Sequence, residues 1–186
     1  MANLPFSVCV YCGSRDGSDP AFAAAATDCG AMLARQGWRL VYGAGDVGLM
    51  GRVARGAQAG GGETFGVIPQ HLMDWEVGKT DLTTFIVTET MHERKKVMLM
   101  NAQAVVVLPG GAGSLDELFE ALTWRQLGLH DKPIFVLNVN GYWDPMLAMM
   151  DHIVTQGFAD ASLLGFVTMV TDVAALEAGL AAFSLE

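Results

Sequence analysis

Short apolar runs, separated by longer stretches with helical periodicity, constrain the fold of this chain more than any other feature. Two of these runs, "AVVVL" at 104–108 and "IFVLNV" at 134–139, are almost continuously apolar and do not alternate with polar residues. Such runs are typical of parallel strands that are covered on both faces. Because strands and helices alternate along the chain, we predict a Rossmann-like, doubly wound α/β fold with a mostly parallel sheet and helices on both faces.

The same pattern predicts where the strands and helices lie. Strands are expected at 6–11, 39–42, 64–68, 83–88, 104–108, 133–139 and 166–170. Helices are expected at 20–36, from the glycines near 48 to about 59, and at 91–101, 115–127, 145–156 and after 172. No repeat, linker or low-complexity segment interrupts the order, and 186 residues fit one domain. We therefore predict a single domain over residues 1–186.

Composition and charge exclude several classes of function. With 52% hydrophobic residues, the chain can bury a full core and does not need a disulfide or a bound metal to stabilise it. The net charge of −9 argues against a nucleic-acid partner, which would require a basic surface. The N-terminal segment lacks the basic region of a signal peptide. The longest uncharged run, 97–115, contains Asn, Gln, Pro and three Gly, so no membrane span is expected.

The cysteines point to a reducing compartment. Cys9, Cys12 and Cys29 do not form an even set, which favours a cytoplasmic protein with free thiols. Cys9 and Cys12 spell C-x-x-C, but a redox pair normally follows a strand, whereas Cys9 falls inside the first one. With no second cysteine pair and only four histidines, a structural zinc site is disfavoured. We expect neither a redox pair nor a metal.

The fold class predicts the position of the ligand. In open α/β sheets, ligands lie beyond the carboxyl ends of the strands. The segments in that position are "CGSR" at 12–15, "GAGDVG" at 43–48, "IPQHL" at 68–72, "TETMHERKK" at 88–96 and "PGGAGS" at 109–114. Several are rich in glycine or carry cations, so we expect them to converge on one site. Gly13, Ser14, Gly43 and Gly45 are candidate binding residues from the first two segments.

The "GAGDVG" segment matches the G-x-G-x-x-G pattern of dinucleotide-binding proteins. A nicotinamide site also needs an acidic residue at the end of the next strand, but that strand ends at Pro69-Gln70. No glycine cluster is followed by G-K-S or G-K-T, so a P-loop is excluded. We predict a tight turn after which the N-terminus of a helix faces a ligand.

The "PGGAGS" segment allows two interpretations. Gly110, Gly111 and Gly113 permit a close approach to the backbone, and the following helix start would attract a phosphate. Alternatively, Ser114 and Glu117 form a capping box, S-x-x-E, and only stabilise the helix. These residues do not decide between the two.

The "TETMHERKK" segment favours an anionic ligand. Thr90 and Glu93 form another capping box, so a helix begins here. Arg94 and Lys95 then fall near the positive end of the helix dipole, where a cation is unfavourable. A bound anion would offset that cost.

The stretches "MHERKKVM" and "LPGGAGSLDELFEALTWRQLGLHDKPIFVLNVNGYWDP" resemble the LOG family, the cytokinin riboside 5'-monophosphate phosphoribohydrolases, also labelled lysine decarboxylase-like. The resemblance runs from about residue 7 to about residue 158. Ser114 stands where the family usually has threonine, which keeps the hydroxyl group. Ala44 stands inside what is usually a glycine triplet, which could reshape that loop.

The resemblance implies cleavage of the N-glycosidic bond of an adenosine 5'-monophosphate, often N6-substituted, to the free base and ribose 5-phosphate. It implies Arg94 and Glu117 as the catalytic pair. It further implies that the loop of Gly110, Gly111, Ala112, Gly113 and Ser114 binds phosphate and ribose, and that Lys95, Thr123 and Glu76 line the nucleotide site. No cofactor or metal is expected, and a homodimer with sites near the subunit interface is implied.

The chemistry of glycosidic cleavage agrees with this assignment. Positive charge grows on the ribose in an oxocarbenium-like transition state, and a fixed carboxylate such as Glu117 stabilises it. One alternative is a nucleotide-binding module of the same fold without turnover, which would not need the carboxylate. A second is a pyridoxal-phosphate decarboxylase, which needs a Schiff-base lysine and a much larger fold.

Overall fold

The computed structural model describes residues 5–73 and 78–184. Strands cover β1 (Ser7–Tyr11), β2 (Arg39–Tyr42), β3 (Thr64–Pro69), β4 (Thr84–Thr88), β5 (Ala104–Val107), β6 (Ile134–Leu137) and β7 (Val167–Val170). Helices cover α1 (Pro20–Arg35), α2 (Gly48–Ala59), α3 (Met91–Met100), α4 (Ala112–Gln126), α5 (Asp144–Thr155) and α6 (Val173–Ser184). Short 3₁₀ turns lie at Gln70–Leu72, Val139–Gly141 and Ala161–Phe166.

All seven strands belong to one sheet, in the order β4-β3-β2-β1-β5-β6-β7, and every neighbouring pair is parallel. The predicted doubly wound α/β fold is therefore confirmed, with a sheet that is wholly parallel. The strand order reverses between β1 and β5: β1 to β4 extend the sheet in one direction, and β5 to β7 then extend it from β1 in the other direction. Such a switch opens a crevice between two loops that leave the sheet in opposite directions.

Two apolar layers cover the sheet, as its continuously apolar strands predicted. Along β1, Val8 and Val10 face a layer that contains side chains of α1, α2 and α6. Cys9 and Tyr11 face the opposite layer, with side chains of α3, α4 and α5. The strands are buried on both faces because each face has its own set of helices. Within residues 5–73 and 78–184, no helix has the length and apolar character needed to cross a membrane.

Candidate active site

The loops that follow β1 and β5 are joined at the switch point of the sheet. The Leu108 N–H donates to the carbonyl of Tyr11 (2.9 Å), and the Gly13 N–H donates to the carbonyl of Pro109 (3.0 Å). Beyond these contacts lies a cavity of about 500 Å³. This volume is in the range of about 300–1,000 Å³ that is usual for small-molecule sites.

The structure brings most of the predicted site residues to this one cavity. Residues 110–114 of the glycine loop line it, and Gly13, Ser14, Arg94 and Glu117 line it with them. These residues come from the loop after β1, from α3, and from the loop after β5 with the start of α4, which are far apart in sequence. Convergence of loops at the carboxyl ends of the strands is thus confirmed for four of the five predicted segments, because Leu72 of the segment 68–72 lines the cavity as well.

Helix α4 begins at the glycine loop itself. Gly111 is its N-cap residue, in an extended conformation and without a side-chain cap, and the helix starts at Ala112. The first N–H groups of a helix have no acceptor within it, so the amides of Ala112, Gly113 and Ser114 are suited to an anion. The capping-box interpretation of Ser114 and Glu117 is wrong, because Ser114 occupies the third helical position and not the cap.

Glu117 lies one turn into α4, half-buried, on the side that faces the cavity. Cys12 lines the same cavity, and burial first and the nearby charge of Glu117 second raise the pKa of its thiol. A carboxylate and the start of a helix therefore border one space. The first attracts positive charge and the second attracts negative charge.

Arg94 is buried, with only 4% of its surface exposed, and lines the cavity from α3. Its Nε donates to the carbonyl of Val67 (3.1 Å), and its Nη2 donates to the carbonyl of Gly43 (2.6 Å). These two acceptors lie in β3 and directly after β2, so the guanidinium is anchored to the sheet. The predicted capping box of Thr90 and Glu93 is confirmed at the start of α3 and fixes the first turn of the helix.

Lys95 points away from the cavity that Arg94 lines. Its Nζ lies 2.9 Å from Asp116 Oδ2 and 2.9 Å from Glu120 Oε2, both on α4. Burial acts to lower the pKa of Lys95, but hydrogen bonds and charges from Glu120 and Asp116 outweigh it and raise that pKa overall. The inference that a bound anion offsets this cation is therefore wrong for Lys95, because two protein carboxylates do so.

The "GAGDVG" segment leads into α2, whose first turn borders the cavity through Leu49 and Met50. The Leu49 N–H donates to the carbonyl of Gly13 (3.0 Å), so this amide is satisfied within the protein. Ligand binding at the N-terminus of α2 stays a prediction. Gly48 has a φ of 53°, and a Cβ there would lie 2.3 Å from the Arg15 nitrogen. Gly45 pairs with Gly78 in an isolated bridge.

The structure does not place two further predicted residues, Thr123 and Glu76, in the described cavity lining. Thr123 is exposed on α4, nearly two turns beyond Glu117, and its hydroxyl group donates to the carbonyl of Phe119 (2.7 Å). It does not belong to the cavity lining within the described part of the chain. Glu76 lies outside the residues that the structure describes.

The structure adds residues that sequence reasoning missed. Arg15, Phe22 and Tyr142 line the cavity. Tyr142 donates from its hydroxyl group to the carbonyl of Gly110 (2.5 Å), and its ring meets that of Phe22 edge-on at 5.2 Å. Arg15 directly follows the predicted Gly13 and Ser14, so its position after β1 could have identified it as a site residue. Tyr142 follows β6 at the same edge of the sheet, where any side chain is a candidate.

The cysteines lack the arrangement of a redox pair. Cys9 and Cys12 belong to the apolar layers on opposite faces of the sheet, and both are free and buried. Burial raises the pKa of both thiols, and Glu117 raises it further. Thiols that stay protonated are poor nucleophiles and poor metal ligands. Among residues 5–73 and 78–184, no group of three or more His, Cys, Asp or Glu side chains is placed to hold a metal ion.

Fold and crevice together define the class: a doubly wound, Rossmann-like α/β protein with a glycine loop and a helix start at its topological switch. Residues 50–179 match the family model described as "Possible lysine decarboxylase". The chain is 46% identical over 156 residues to a protein of Oryza sativa subsp. japonica named "Probable cytokinin riboside 5'-monophosphate phosphoribohydrolase", covering 84% of this chain and 68% of the relative.

A cytokinin riboside 5'-monophosphate phosphoribohydrolase of Arabidopsis thaliana is 43% identical over 155 residues, covering 83% of this chain and 68% of the relative. The chain belongs to this family, the LOG family. Among solved structures, the molybdenum cofactor carrier protein of Chlamydomonas reinhardtii is similar with a TM-score of 0.75 at 20% identity, covering 98% of this chain and 99% of that protein. At that identity the likeness shows the fold alone.

Proposed function

We propose that the protein hydrolyses the N-glycosidic bond of adenosine 5'-monophosphate and its N6-substituted forms, releasing the free base and ribose 5-phosphate. The observation that carries this proposal is that Glu117, Arg94 and the start of α4 border a single cavity. Family membership supports the same activity, because the curated relatives are named as phosphoribohydrolases.

The phosphate is assigned to the start of α4. The amides of residues 112–114 can donate to its oxygens, and the positive end of the helix dipole favours its charge. Gly13 and Ser14 border the same end of the cavity from the loop after β1. Arg15 also lines the cavity and is a cation close to these residues. With the phosphate bound there, the ribose that carries it would lie next to Glu117, one turn further along α4.

Glu117 is assigned the stabilisation of the ribose cation. As the bond between C1' and the base breaks, positive charge spreads over C1' and the ring oxygen. A carboxylate already fixed beside the ring stabilises that charge without reorganisation, and it can accept a proton from the attacking water. The water oxygen becomes the 1-hydroxyl group of ribose 5-phosphate, and the bonding electrons leave with the base, which takes up a proton.

Arg94 is assigned the orientation of the reacting groups. Its hydrogen bonds to Val67 and Gly43 hold a permanent positive charge in the wall of the cavity. A guanidinium so fixed can hold a carboxylate, a phosphate oxygen or a ribose hydroxyl group in one geometry. The apolar side chains of Phe22, Leu72 and Met91 complete the wall and suit a purine with an apolar N6 group.

The decarboxylase label of the family model is not supported by the cavity. A pyridoxal-phosphate enzyme needs a lysine amine at the reacting centre. Among the described residues that line the cavity, none is a lysine. Lys95 is bonded to Asp116 and Glu120, and Lys132 donates to the carbonyl of Ala102 (2.6 Å).

The experiment is incubation of the protein with AMP and with N6-isopentenyl-AMP, followed by chromatography of the base and assay of ribose 5-phosphate. We expect release from at least one substrate, and a loss of at least 100-fold in kcat for Glu117→Gln and Arg94→Leu. Glu120→Gln is the matched control, because Glu120 lies on the same helix but bonds Lys95 and does not line the cavity. Tight binding of the nucleotide without turnover would instead identify a binding module, and undiminished turnover in Glu117→Gln would refute the mechanism.

We further propose a cytoplasmic homodimer that binds no nucleic acid. Free cysteines support the compartment, and the net charge of −9 supports the absence of a nucleic-acid partner. Met100, Leu127 and Leu129 expose 67%, 67% and 66% of their surfaces at the ends of α3 and α4, which suits a subunit interface. Light scattering of the purified protein tests the assembly. Lys95, Thr123 and Glu76 stay predictions of the family resemblance.

A further inference from the structure

The peptide group between Gly110 and Gly111 borders the cavity and directly precedes the start of α4, to which the phosphate is assigned. In a trans peptide the C=O and the N–H point in opposite directions, and the described peptides include no cis bond. If this group turns over, the loop offers a carbonyl oxygen where it otherwise offers an N–H. Because both flanking residues lack a Cβ, local sterics resist that rotation less than they would elsewhere.

Tyr142 contacts this peptide group directly. Its hydroxyl group donates to the Gly110 carbonyl at 2.5 Å, a short hydrogen bond that holds the oxygen in one direction. A Cβ on Gly110 would lie 2.0 Å from Ser114 Oγ, so residue 110 has to be glycine. The loop therefore cannot be stiffened by a larger residue at this position, and the hydrogen bond from Tyr142 holds the peptide group instead. The orientation of the peptide group therefore depends on a contact from outside the loop.

Tyr142 is itself held by two separate parts of the fold. Asn140 and Gly141, with φ values of 51° and 75°, turn the chain sharply after β6. The Asn140 side chain donates to Asp19 Oδ2 (2.9 Å), and Asp19 caps the start of α1 by accepting from the Ala21 N–H (2.8 Å). The Tyr142 ring packs edge-on against Phe22 of α1 and, at 4.8 Å, against Trp143.

We propose that Tyr142 is a positioning residue that selects, through its hydroxyl group, the peptide orientation in which the glycine loop binds the substrate phosphate. This rests on the proposed function, in which the 5'-phosphate occupies the start of α4. The ring of Tyr142 packs against its neighbours, and its hydroxyl group fixes the orientation of the peptide group between Gly110 and Gly111. Removing the hydroxyl alone therefore weakens ligands that carry the phosphate and leaves those without it unaffected.

The test is Tyr142→Phe, which deletes one oxygen and keeps the ring contacts. We expect KM for AMP to rise about tenfold while kcat changes less than threefold, as for a hydrogen bond worth about 1 kcal/mol or somewhat more. Calorimetry with ribose 5-phosphate should show the same loss, and the affinity for adenosine should stay within twofold of wild type. Tyr42→Phe is the matched control, because the buried Tyr42 hydroxyl group has no hydrogen-bond partner in the described structure.

The outcomes separate the inference from the proposed function. If wild-type protein hydrolyses AMP and Tyr142→Phe has an unchanged KM, the positioning role is wrong while the function stands. If Tyr142→Phe weakens AMP and adenosine equally, Tyr142 contacts the nucleoside and does not act through the loop, which also overturns the inference. If wild-type protein neither binds nor hydrolyses AMP, both fall together.

Discussion

Arg94 and Gly43 are joined by a hydrogen bond whose geometry allows no side chain at position 43. The Arg94 Nη2 lies 2.6 Å from the Gly43 carbonyl oxygen, and a Cβ added to Gly43 would lie 2.2 Å from that nitrogen. Gly43 is therefore required for the close approach of the guanidinium. The glycine-rich segment after β2 matters to the site because the Gly43 carbonyl accepts a hydrogen bond from Arg94. Its similarity to a dinucleotide-binding motif plays no part in the proposed reaction.

Gly43→Ala is expected to displace the Arg94 side chain without unfolding the protein. A displacement of about 1 Å in a group that orients the reaction typically lowers the rate by about 100-fold. We expect kcat with AMP to fall by roughly 10- to 100-fold, measured by steady-state kinetics at a temperature well below the melting transition.

The control for Gly43→Ala is Gly165→Ala. A Cβ on Gly165 meets nothing within 4 Å, so this variant adds the same methyl group without a clash. Its kcat should equal that of wild type. A Gly43→Ala variant with wild-type kcat would show that the position of Arg94 does not limit the reaction.

The ion pairs of Lys95 predict two unequal losses of stability. The Glu120 side chain is 24% exposed and that of Asp116 is 61% exposed, while Lys95 is only 6% exposed. Exposed pairs contribute little because water screens them, and buried charges are costly when they lose a partner. We expect Glu120→Gln to lower the free energy of unfolding by about 1–2 kcal/mol and Asp116→Asn by about 0.5 kcal/mol or less. Urea unfolding at pH 7 measures both, and equal losses would contradict the dependence on burial.

Much of the fold followed from local patterns. The predicted strand at 39–42 matches β2 residue for residue, and the predicted helix at 20–36 differs from α1 by one residue. Buried strands and capped helices are specified by residues close together in the sequence, so their positions can be predicted from it. The position of the site followed as well, because the sheet places the carboxyl ends of β1 and β5 side by side.

The errors concern interactions between distant segments. The sequence indicated a helix start at Ser114, but Gly111 caps α4 because the loop is fixed by contacts to Gly13 and Tyr142. Lys95 looked like an anion ligand because its carboxylate partners lie 21 and 25 residues away on another helix. Spacing along one helix cannot reveal which residues of a second helix it meets.

Ala44 has a φ of 57°, in the left-handed region that glycine adopts without strain. An alanine there costs about 1–2 kcal/mol, but it also keeps a buried methyl group and reduces the entropy of the unfolded chain. Because these effects oppose each other, we expect Ala44→Gly to change the free energy of unfolding by less than about 1 kcal/mol.

Ala44→Val should behave quite differently from Ala44→Gly. A β-branched residue is poorly tolerated at positive φ, and Ala44 is fully buried against Gly66, where a Cβ would lie 2.6 Å from that of Ala44. We expect a loss of at least about 2 kcal/mol in thermal or urea unfolding. A valine variant as stable as wild type would mean that the backbone at this position is not left-handed.

His130 predicts a loss of stability on acidification. Burial lowers the pKa of His130 below the usual histidine value of 6.5, and the charges of Lys132 and Arg125 add to this effect. A hydrogen bond to the Ala121 carbonyl opposes it. Its Nε2 lies 2.9 Å from the Ala121 carbonyl oxygen, so this nitrogen carries the proton in the neutral ring. Nδ1 is buried and has no partner among the described residues, so protonating it would leave a buried donor unsatisfied.

The sign of the effect follows from which state binds the proton more readily. The unfolded chain takes up the proton near pH 6.5, whereas the folded protein takes it up only at lower pH. The neutral histidine therefore contributes its full stability above about pH 6.5, and this contribution is lost as the pH falls from there towards the lowered pKa of the folded state.

His130→Gln, which keeps a donor for Ala121 but does not titrate, should show a shallower decline in the free energy of unfolding between pH 7.5 and 5 (about the range where histidine titrates). His152→Gln, at an exposed position on α5, is the matched control and should follow the wild-type curve. Parallel curves for His130→Gln and wild type would show that another group governs acid sensitivity.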